Sequence, residues 1–320
     1  MRRYFCTLFD SNYLIKGLTM IQSLAEFCED FEIYVLCLDY KTKKILEKIN
    51  NSHIKCIELF EVENNDLLKA KKDRTKTEYC WTLASNFTWY VMDNFKDINL
   101  ITYLDADLLF YSSFEPIFKE IRNSSIAIIE HRFAKPYKNL EINGKFCVEW
   151  NSFRRDEEGL HCLNRWRKQC LKWCFYKLED GKMGDQKYLD EWPDLYTSCH
   201  IIENVGAGIA PWNYSQYDIR TKDNNIKINN KNLIFYHFHQ FQILTKNRFF
   251  RLGDIYKSKA KEPNNIYKQY ENKIINTIKL IRKIDPNFDD GIIQNNNLFF
   301  IDSVKKFVPI KLKNFIKKFI

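Results

Sequence analysis

Short apolar runs alternate with helical repeats over the N-terminal part of the chain. Residues 3–9, 31–38 and 54–59 are apolar runs of the length that forms buried strands. Between them, residues 13–27 and 41–49 carry apolar side chains at the spacing of an amphipathic helix. This β-α-β-α-β alternation predicts a parallel sheet with right-handed crossovers, whose ligands bind at the carboxyl ends of the strands.

A later apolar run ends in two carboxylates. Residues 99–104 lead into Asp105-Ala106-Asp107, and the apolar residues 108–110 follow at once. Such a run predicts a strand that is buried on both faces, and a buried carboxylate is costly without a partner. Alternate residues of a strand project to the same side about 6–7 Å apart, which suits a divalent cation that also binds a diphosphate. A solvated acidic turn is the alternative, although Leu-Leu-Phe rarely follows such a turn.

The same criteria predict further helices and strands downstream. Helices are expected over residues 78–94, 114–122 and 266–284, with a Cys- and Trp-rich helix that ends at 176, and strands over 125–130 and 233–241. His237 and His239 share one face of the last strand. Neutral imidazole is a common ligand of divalent metals, and packing in an aromatic core is the alternative.

Composition permits a large core and excludes several classes of protein. The chain has 320 residues, of which 45% are hydrophobic and 16% aromatic, with 9 glycines and 7 prolines. Collagen-like, linker-rich and disordered proteins are therefore excluded. The ten cysteines stand in apolar contexts, which favours free thiols in a reducing cytosol. No secretory leader and no apolar run of about 18–20 residues is found, so we expect a cytoplasmic or peripheral protein.

The net charge of +9 is compatible with nucleic acid, an anionic membrane or a phosphorylated ligand. Paired metal-finger spacing, sheet-type RNA-binding signatures and basic heptads are all missing from the sequence, so we expect no nucleic-acid partner. Arg74 and Lys76 precede the helix over 78–94 and are candidates for phosphate contact, with a solvated helix face as the alternative. Residues 304–320 alternate Lys with Phe, Ile, Leu and Val, which predicts a basic amphipathic tail that binds anionic membranes or docks on the protein.

Four motifs, in order along residues 3–245, resemble those of nucleotide-sugar glycosyltransferases of the GT-A fold. They are Phe9-Asp10-Ser11-Asn12-Tyr13, Tyr103-Leu104-Asp105-Ala106-Asp107, Gly184-Asp185-Gln186 and a late strand with histidine. The likeness is strongest to glycosyltransferase family 8 and related bacterial nucleotide-diphospho-sugar transferases. Residues 153–156, 184–190, 210–213 and 237–239 especially resemble that bacterial group.

The resemblance implies a role for each matching residue. It assigns nucleotide-base contact to Asp10, Asn12 and Tyr13, ribose and metal contact to Asp105, metal binding to Asp107 and to His237 or failing it His239, donor-sugar contact to Asn151, and the reaction centre to Asp185 and Gln186. Two departures stand out. The late histidine is usually followed by Gly and Lys-Pro-Trp, whereas residues 240–246 here leave the diphosphate lysine open. The mid-chain asparagine is usually followed by a small residue and Gly, not by Ser152-Phe153.

The resemblance therefore implies an α/β fold of the GT-A type over residues 1–250, with a mostly parallel central sheet flanked by helices. A helical extension over 251–303 and the tail 304–320 follow. The expected activity is Mn²⁺- or Mg²⁺-dependent transfer of a sugar, with retention, from a nucleoside diphosphate sugar, foremost a UDP-sugar, to an acceptor hydroxyl. A lipid-linked acceptor in bacterial surface glycan synthesis is expected. A haloacid-dehalogenase-type phosphatase and an inactive membrane-binding protein are the alternatives.

Overall fold

The structure is a computed structural model that describes residues 2–222, 225–256 and 261–293, so the predicted tail over 304–320 lies outside the described residues. The strands are β1 (Arg3–Phe9), β2 (Phe31–Cys37), β3 (Ile54–Glu58), β4 (Leu100–Leu104), β5 (Leu108–Phe110), β6 (Ile126–Glu130), β7 (Phe146–Arg154), β8 (Cys199–Ile201), β9 (Ile219–Lys222), β10 (Asn225–Ile228), β11 (Lys231–Asn232), β12 (Phe235–His237), β13 (Gln242–Thr245) and β14 (Arg248–Phe250). The α-helices are α1 (Leu14–Ala25), α2 (Tyr40–Ile49), α3 (Leu59–Val62), α4 (Asn65–Lys71), α5 (Lys76–Asn94), α6 (Glu115–Ile121), α7 (Glu157–Lys172), α8 (Trp192–Leu195) and α9 (Asn264–Ile284). Short 3-10 helices cover Lys135–Asn143, Gln186–Glu191, Tyr214–Gln216 and Asp254–Tyr256.

The central sheet has the strand order β3-β2-β1-β4-β7-β6-β8. Strands β1 to β4 run parallel to one another, and β6 is parallel to β8. Strand β7 lies between β4 and β6 and is antiparallel to both. The predicted α/β fold with a mostly parallel sheet flanked by helices is therefore confirmed. The predicted β-α-β-α-β order of the N-terminal part is also confirmed.

The run that contains the two carboxylates forms two strands instead of one. Strand β4 ends at Leu104, and β5 pairs antiparallel with β12 in a separate two-stranded sheet, where Leu108 is opposite His237. Asp105 to Asp107 form the turn between them, and the carbonyl of Asp107 accepts a hydrogen bond from Phe238 N at 2.9 Å. The apolar residues on either side are buried in both sheets, which explains why this turn is followed by Leu-Leu-Phe. The two carboxylates therefore project from a turn and not from one face of a strand.

Two other predicted boundaries were wrong. Helix α7 ends at Lys172 rather than 176, because Trp173 is extended and the chain turns so that the Phe175 carbonyl accepts from Gly184 N at 3.0 Å. The predicted strand over 233–241 contains only the three residues of β12, since Gln240 adopts a left-handed φ of 62° and the chain turns there. His239 therefore lies beyond the end of β12.

The last described helix completes the core beside the first. Helix α9, predicted over 266–284, packs against α1 and α2, and Thr19 Oγ1 donates to Thr277 Oγ1 at 2.8 Å. Ile274, Ile278 and Ile281 are buried in the same apolar cluster as the first strand, so residues 261–293 share a core with the sheet. Among the described helices, none has the length and apolarity needed to cross a bilayer.

Candidate active site

The two carboxylates of the β4–β5 turn lie beside the imidazole of His237. The Nε2 atom of His237 is 3.0 Å from Asp107 Oδ1 and 3.9 Å from Asp105 Oδ2. The antiparallel pairing of β12 with β5 produces this arrangement, because it places His237 directly opposite Leu108. The structure thus brings together three of the predicted metal ligands from segments more than a hundred residues apart.

Strand β7 adds two residues that the sequence analysis missed. Glu149 is fully buried, and its Oε2 accepts a hydrogen bond from His237 Nδ1 at 2.6 Å. The Cys147 thiol belongs to a residue two positions earlier in β7. Its sulfur, a carboxylate oxygen of Asp105 and a ring nitrogen of His237 all lie within 4.8 Å of one another. The available signal was the charge of Glu149 inside the apolar run Phe146–Trp150, since a buried carboxylate needs a partner.

The charges in this cluster shift one another's pKa values. Burial raises the pKa of Asp105 to about 7 against the opposing charge of His237. Burial acts in the same direction on Asp107, but the charge and hydrogen bond of His237 outweigh it and hold the pKa of Asp107 well below its usual range. Burial acts to lower the pKa of His237, yet the Asp107 and Glu149 partners keep that pKa well above its ordinary value. The cluster therefore contains one firmly ionised carboxylate paired with an imidazole.

The predicted reaction-centre pair lies on the neighbouring turn. Gly184 has a left-handed φ of 55°, and a Cβ at this residue would lie 3.3 Å from the Trp81 ring, so glycine suits the turn into Asp185. Asp185 is 6% exposed, and burial together with the nearby charge of Asp105 raises its pKa to about 8. Gln186 Nε2 donates to the Asn143 carbonyl at 3.1 Å, which fixes the amide. Asp185 therefore lies close enough to Asp105 of the β4–β5 turn for the two carboxyl groups to interact electrostatically.

The loop after β1 carries the predicted base-contacting residues. Asp10 Oδ1 accepts from Tyr13 N at 3.1 Å and Asp10 Oδ2 accepts from Asn12 Nδ2 at 3.1 Å, so this carboxylate organises the loop. Lys76, at the start of α5, forms an ion pair with Asp10. The Tyr13 side chain is 45% exposed and interacts electrostatically with Asp107 and with His237. The loop and the β4–β5 turn therefore lie at the same carboxyl edge of the sheet, because β1 and β4 are adjacent parallel strands.

Arg74 is placed differently from the prediction. Its guanidinium is 1% exposed and donates to Thr82 Oγ1 and to the Leu171 carbonyl, both at 2.8 Å. These contacts join α5 to the end of α7, so Arg74 is a packing residue and is not free to bind a phosphate.

Two further predicted residues lie near the cluster but outside it. Asn151 is fully buried opposite Tyr103 of β4, and neither atom of its amide has a hydrogen-bond partner among the described residues. His239 bonds through Nδ1 to the Tyr256 hydroxyl at 2.8 Å, and burial lowers its pKa to about 4. The structure therefore pairs the carboxylates with His237 and not with His239.

The donor set fits a hard or borderline divalent cation. Two carboxylates and a neutral imidazole are ligands that Mg²⁺ and Mn²⁺ accept, and exposure of Asp105 leaves room for ligand oxygens. The Glu149–His237 hydrogen bond is the outer partner that orients a ligating imidazole so that Nε2 faces the metal. These side chains therefore fit a metal held by Asp105, Asp107 and His237.

Comparison with known proteins agrees with this fold. The model of the family "Glycosyl transferase family 8" matches residues 6–155, a range that includes Asp10, Asp105, Asp107 and Glu149. The uncharacterized protein YfnD of Bacillus subtilis strain 168 is 32% identical over 298 residues, which are 91% of this chain and 94% of YfnD.

Solved structures share the fold at low sequence identity. The galactosyltransferase LgtC, in complex with donor and acceptor sugar analogues, is 12% identical, with a TM-score of 0.52 over 86% of this chain and 95% of LgtC. The glycosyltransferase GlyE of Streptococcus pneumoniae TIGR4 is also 12% identical, with a TM-score of 0.52 over 88% of this chain and 63% of GlyE. These matches leave the phosphatase alternative without support. The chain is therefore a GT-A-fold glycosyltransferase that resembles family 8, and it belongs to one family with YfnD.

Proposed function

We propose that the protein is a metal-dependent glycosyltransferase that moves a sugar from a nucleoside diphosphate sugar, foremost a UDP-sugar, to an acceptor hydroxyl. The observation that carries the proposal is the buried chain of contacts from Glu149 through His237 to Asp107, with Asp105 beside it. An imidazole oriented in this way between carboxylates is the arrangement expected of a metal ligand.

Three groups of residues have different roles in the proposed site. Asp105, Asp107 and His237 would hold Mn²⁺ or Mg²⁺, which when bound stabilises the negative charge that develops on the leaving diphosphate. The loop with Asp10 and Tyr13 would bind the nucleotide, with the exposed Tyr13 ring as an apolar surface for the base. Asp185 and Gln186 would face the sugar, whose anomeric carbon becomes oxocarbenium-like during transfer.

The environment of Asp185 favours retention of anomeric configuration. A carboxyl with a pKa of about 8 holds its proton at neutral pH, so it donates hydrogen bonds to sugar hydroxyls and is a poor general base for the acceptor. An inverting reaction would need that base. We therefore favour a retaining, front-side reaction beside Gln186, in line with the family resemblance.

We further propose that the enzyme works on the cytoplasmic side of the membrane in bacterial surface glycan synthesis, with a lipid-linked acceptor. All ten cysteines are free thiols, which suits a reducing compartment. The basic tail over 304–320 supplies charge for an anionic membrane surface.

Nucleotide release from a panel of UDP-, GDP- and CDP-sugars in the presence of Mn²⁺ tests this proposal. We expect release with one donor class and its loss in Asp107→Ala, while Asp194→Ala, an exposed aspartate of α8, remains active. Release of phosphate from simple esters without sugar transfer would contradict the proposal. Absence of turnover with every donor, together with liposome binding that depends on 304–320, would identify an inactive membrane-binding protein instead.

A further inference from the structure

Lys16 is a cation that is buried at the start of α1. It lies in the first turn of α1, immediately after the Asp10–Tyr13 loop, and its side chain leaves the residue only 8% exposed. Among the described residues, no carboxylate lies within 4.0 Å of its ammonium and no hydrogen bond to it is formed, whereas Lys76 nearby is paired with Asp10. A buried ammonium is costly unless an anion compensates it.

The position of Lys16 is fixed by close packing of its helix on the first strand. Gly17 follows it, and any Cβ at this residue would collide with the Phe9 ring, so α1 can approach the end of β1 only because residue 17 is glycine. This contact holds the first turn of α1 against the carboxyl edge of the sheet, where the β4–β5 turn also lies. The backbone of Lys16 is therefore held at this edge of the sheet.

The ammonium of Lys16 interacts with both parts of the proposed donor site. On one side its Nζ is 4.4 Å from the centroid of the Tyr13 ring, and on the other it interacts electrostatically with the carboxylate of Asp107. Burial lowers the pKa of Lys16, and the Asp107 carboxylate opposes that effect. A nucleotide whose base meets Tyr13 and whose metal is held by Asp107 would have its phosphates in the interval that Lys16 faces.

We propose that Lys16 binds the diphosphate of the donor and of the nucleoside diphosphate product. The inference rests on the proposed function and adds a residue that none of the four motifs contains. It also accounts for the altered sequence after the late histidine: Lys246, the first lysine after that histidine, is exposed on the turn between β13 and β14. In this proposal Lys16 of α1, instead of a lysine after the late histidine, provides the positive charge beside the leaving diphosphate.

The charge of the site supports a phosphate partner. Asp105, Asp107 and Glu149 supply three carboxylates, which a divalent metal and the His237 partner offset. A diphosphate adds further negative charge, and Lys16 is the buried side chain beside it that can donate charge-assisted hydrogen bonds. The same bonds stabilise the diphosphate as it leaves the sugar, because its charge increases in that step.

Calorimetric titration of UDP and of uridine, each with saturating Mn²⁺, tests the inference in the full-length protein. We expect Lys16→Met to weaken UDP binding about 10- to 100-fold, the effect of losing hydrogen bonds to a charged group, and to leave uridine binding unchanged. Lys44→Met, at an exposed lysine of α2, is the matched control and should bind UDP like the wild type. If the wild type binds GDP or CDP instead, that nucleotide and its nucleoside replace the uridine pair.

The thermal midpoint of Lys16→Met separates binding from a structural role. We expect a midpoint equal to or above that of the wild type, because the substitution removes a buried charge that forms no ion pair within 4.0 Å among the described residues. Equal UDP affinity in Lys16→Met and wild type would overturn the inference alone, as would a parallel loss of uridine binding with a lowered midpoint. Failure of the wild type to bind any nucleoside diphosphate would overturn the proposed function, and the inference with it.

Discussion

The hydrogen bond between Glu149 and His237 gives the sharpest test of the proposed metal site. The bond is 2.6 Å long and joins side chains that are 0% and 6% exposed, so water does not compete for it. Glu149→Gln keeps the shape of the side chain, and the amide oxygen can still accept a hydrogen bond from His237 Nδ1. The substitution removes the negative charge that makes the imidazole a better metal ligand. It also places an amide NH₂ at the position of Oε1, which has no hydrogen-bond partner among the described residues.

We expect this substitution to weaken Mn²⁺ binding about 10- to 100-fold, the usual effect of removing an outer partner of a ligating histidine, which corresponds to about 1.4–2.7 kcal/mol. Calorimetric titration with Mn²⁺ measures the affinity directly. In donor hydrolysis, the Mn²⁺ concentration for half-maximal rate should rise by the same factor, while the rate at saturating Mn²⁺ changes less. Glu29→Gln, at an exposed glutamate, is the matched control.

Wild-type Mn²⁺ affinity in Glu149→Gln, together with loss of Mn²⁺ binding in Asp107→Asn, would refute this role of Glu149. In that case the carboxylate on β7 does not orient His237 for metal. A loss of affinity accompanied by a large drop in thermal midpoint would instead show that the substitution damages the fold.

Three other predictions concern pH dependence and stability. In the metal-free protein the pKa of His237 is raised and that of Asp105 is about 7, so a bound metal must displace protons from these side chains. Mn²⁺ affinity should therefore increase with pH between about 6 and 8. Calorimetry in buffers of different ionisation heat counts the protons released. Gly159→Ala should destabilise the fold by about 1–3 kcal/mol in urea unfolding, although alanine normally favours a helix, because its Cβ would strike the Arg154 carbonyl. Arg251→Met should cost about 1–2 kcal/mol in the same assay, since this half-buried guanidinium holds two carboxylates at 2.6 Å.

For each of these three predictions, one experimental result would contradict it. Mn²⁺ affinity that is flat from pH 6 to 8 would show that no proton is displaced and that His237 or Asp105 is not a ligand. Gly159→Ala with raised stability would mean that the α7 contact relaxes at little cost. An unchanged urea midpoint in Arg251→Met would show that solvent screens its ion pairs.

Local sequence patterns predicted the helices and strands, whereas contacts between residues far apart in the sequence determine the geometry of the site. The β-α-β-α-β order followed from periodicity alone, because each helix or strand is encoded in its own residues. The division of β4 from β5 was not predictable, since an apolar run does not reveal that its second half pairs with β12 more than a hundred residues later. Glu149 was missed for the same reason: its role appears only once β7 is placed antiparallel between β4 and β6.

Arg74 is the opposite case, a charged residue that was expected at the surface and is buried by a contact with a distant part of the chain. A basic residue before a helix predicts a solvent-exposed charge, and only the Leu171 carbonyl, 97 residues away, turns it into a packing residue. The ammonium of Lys16 was overlooked because a single lysine in an apolar helix is indistinguishable in sequence from one that reaches the surface.

The packing of α9 on α1 has a consequence for synthesis of the protein. Thr19 and Thr277 are 258 residues apart, and Gly291 lies so close to the Asn12 carbonyl that a Cβ there would overlap it. At about 5–20 residues per second, the apolar face of α1 remains without its partner helix for roughly 13–52 s before α9 is translated. This part of the core therefore forms only after α9 has been made, and a ribosome that stalls before residue 264 leaves a nascent chain whose first helix exposes its apolar face.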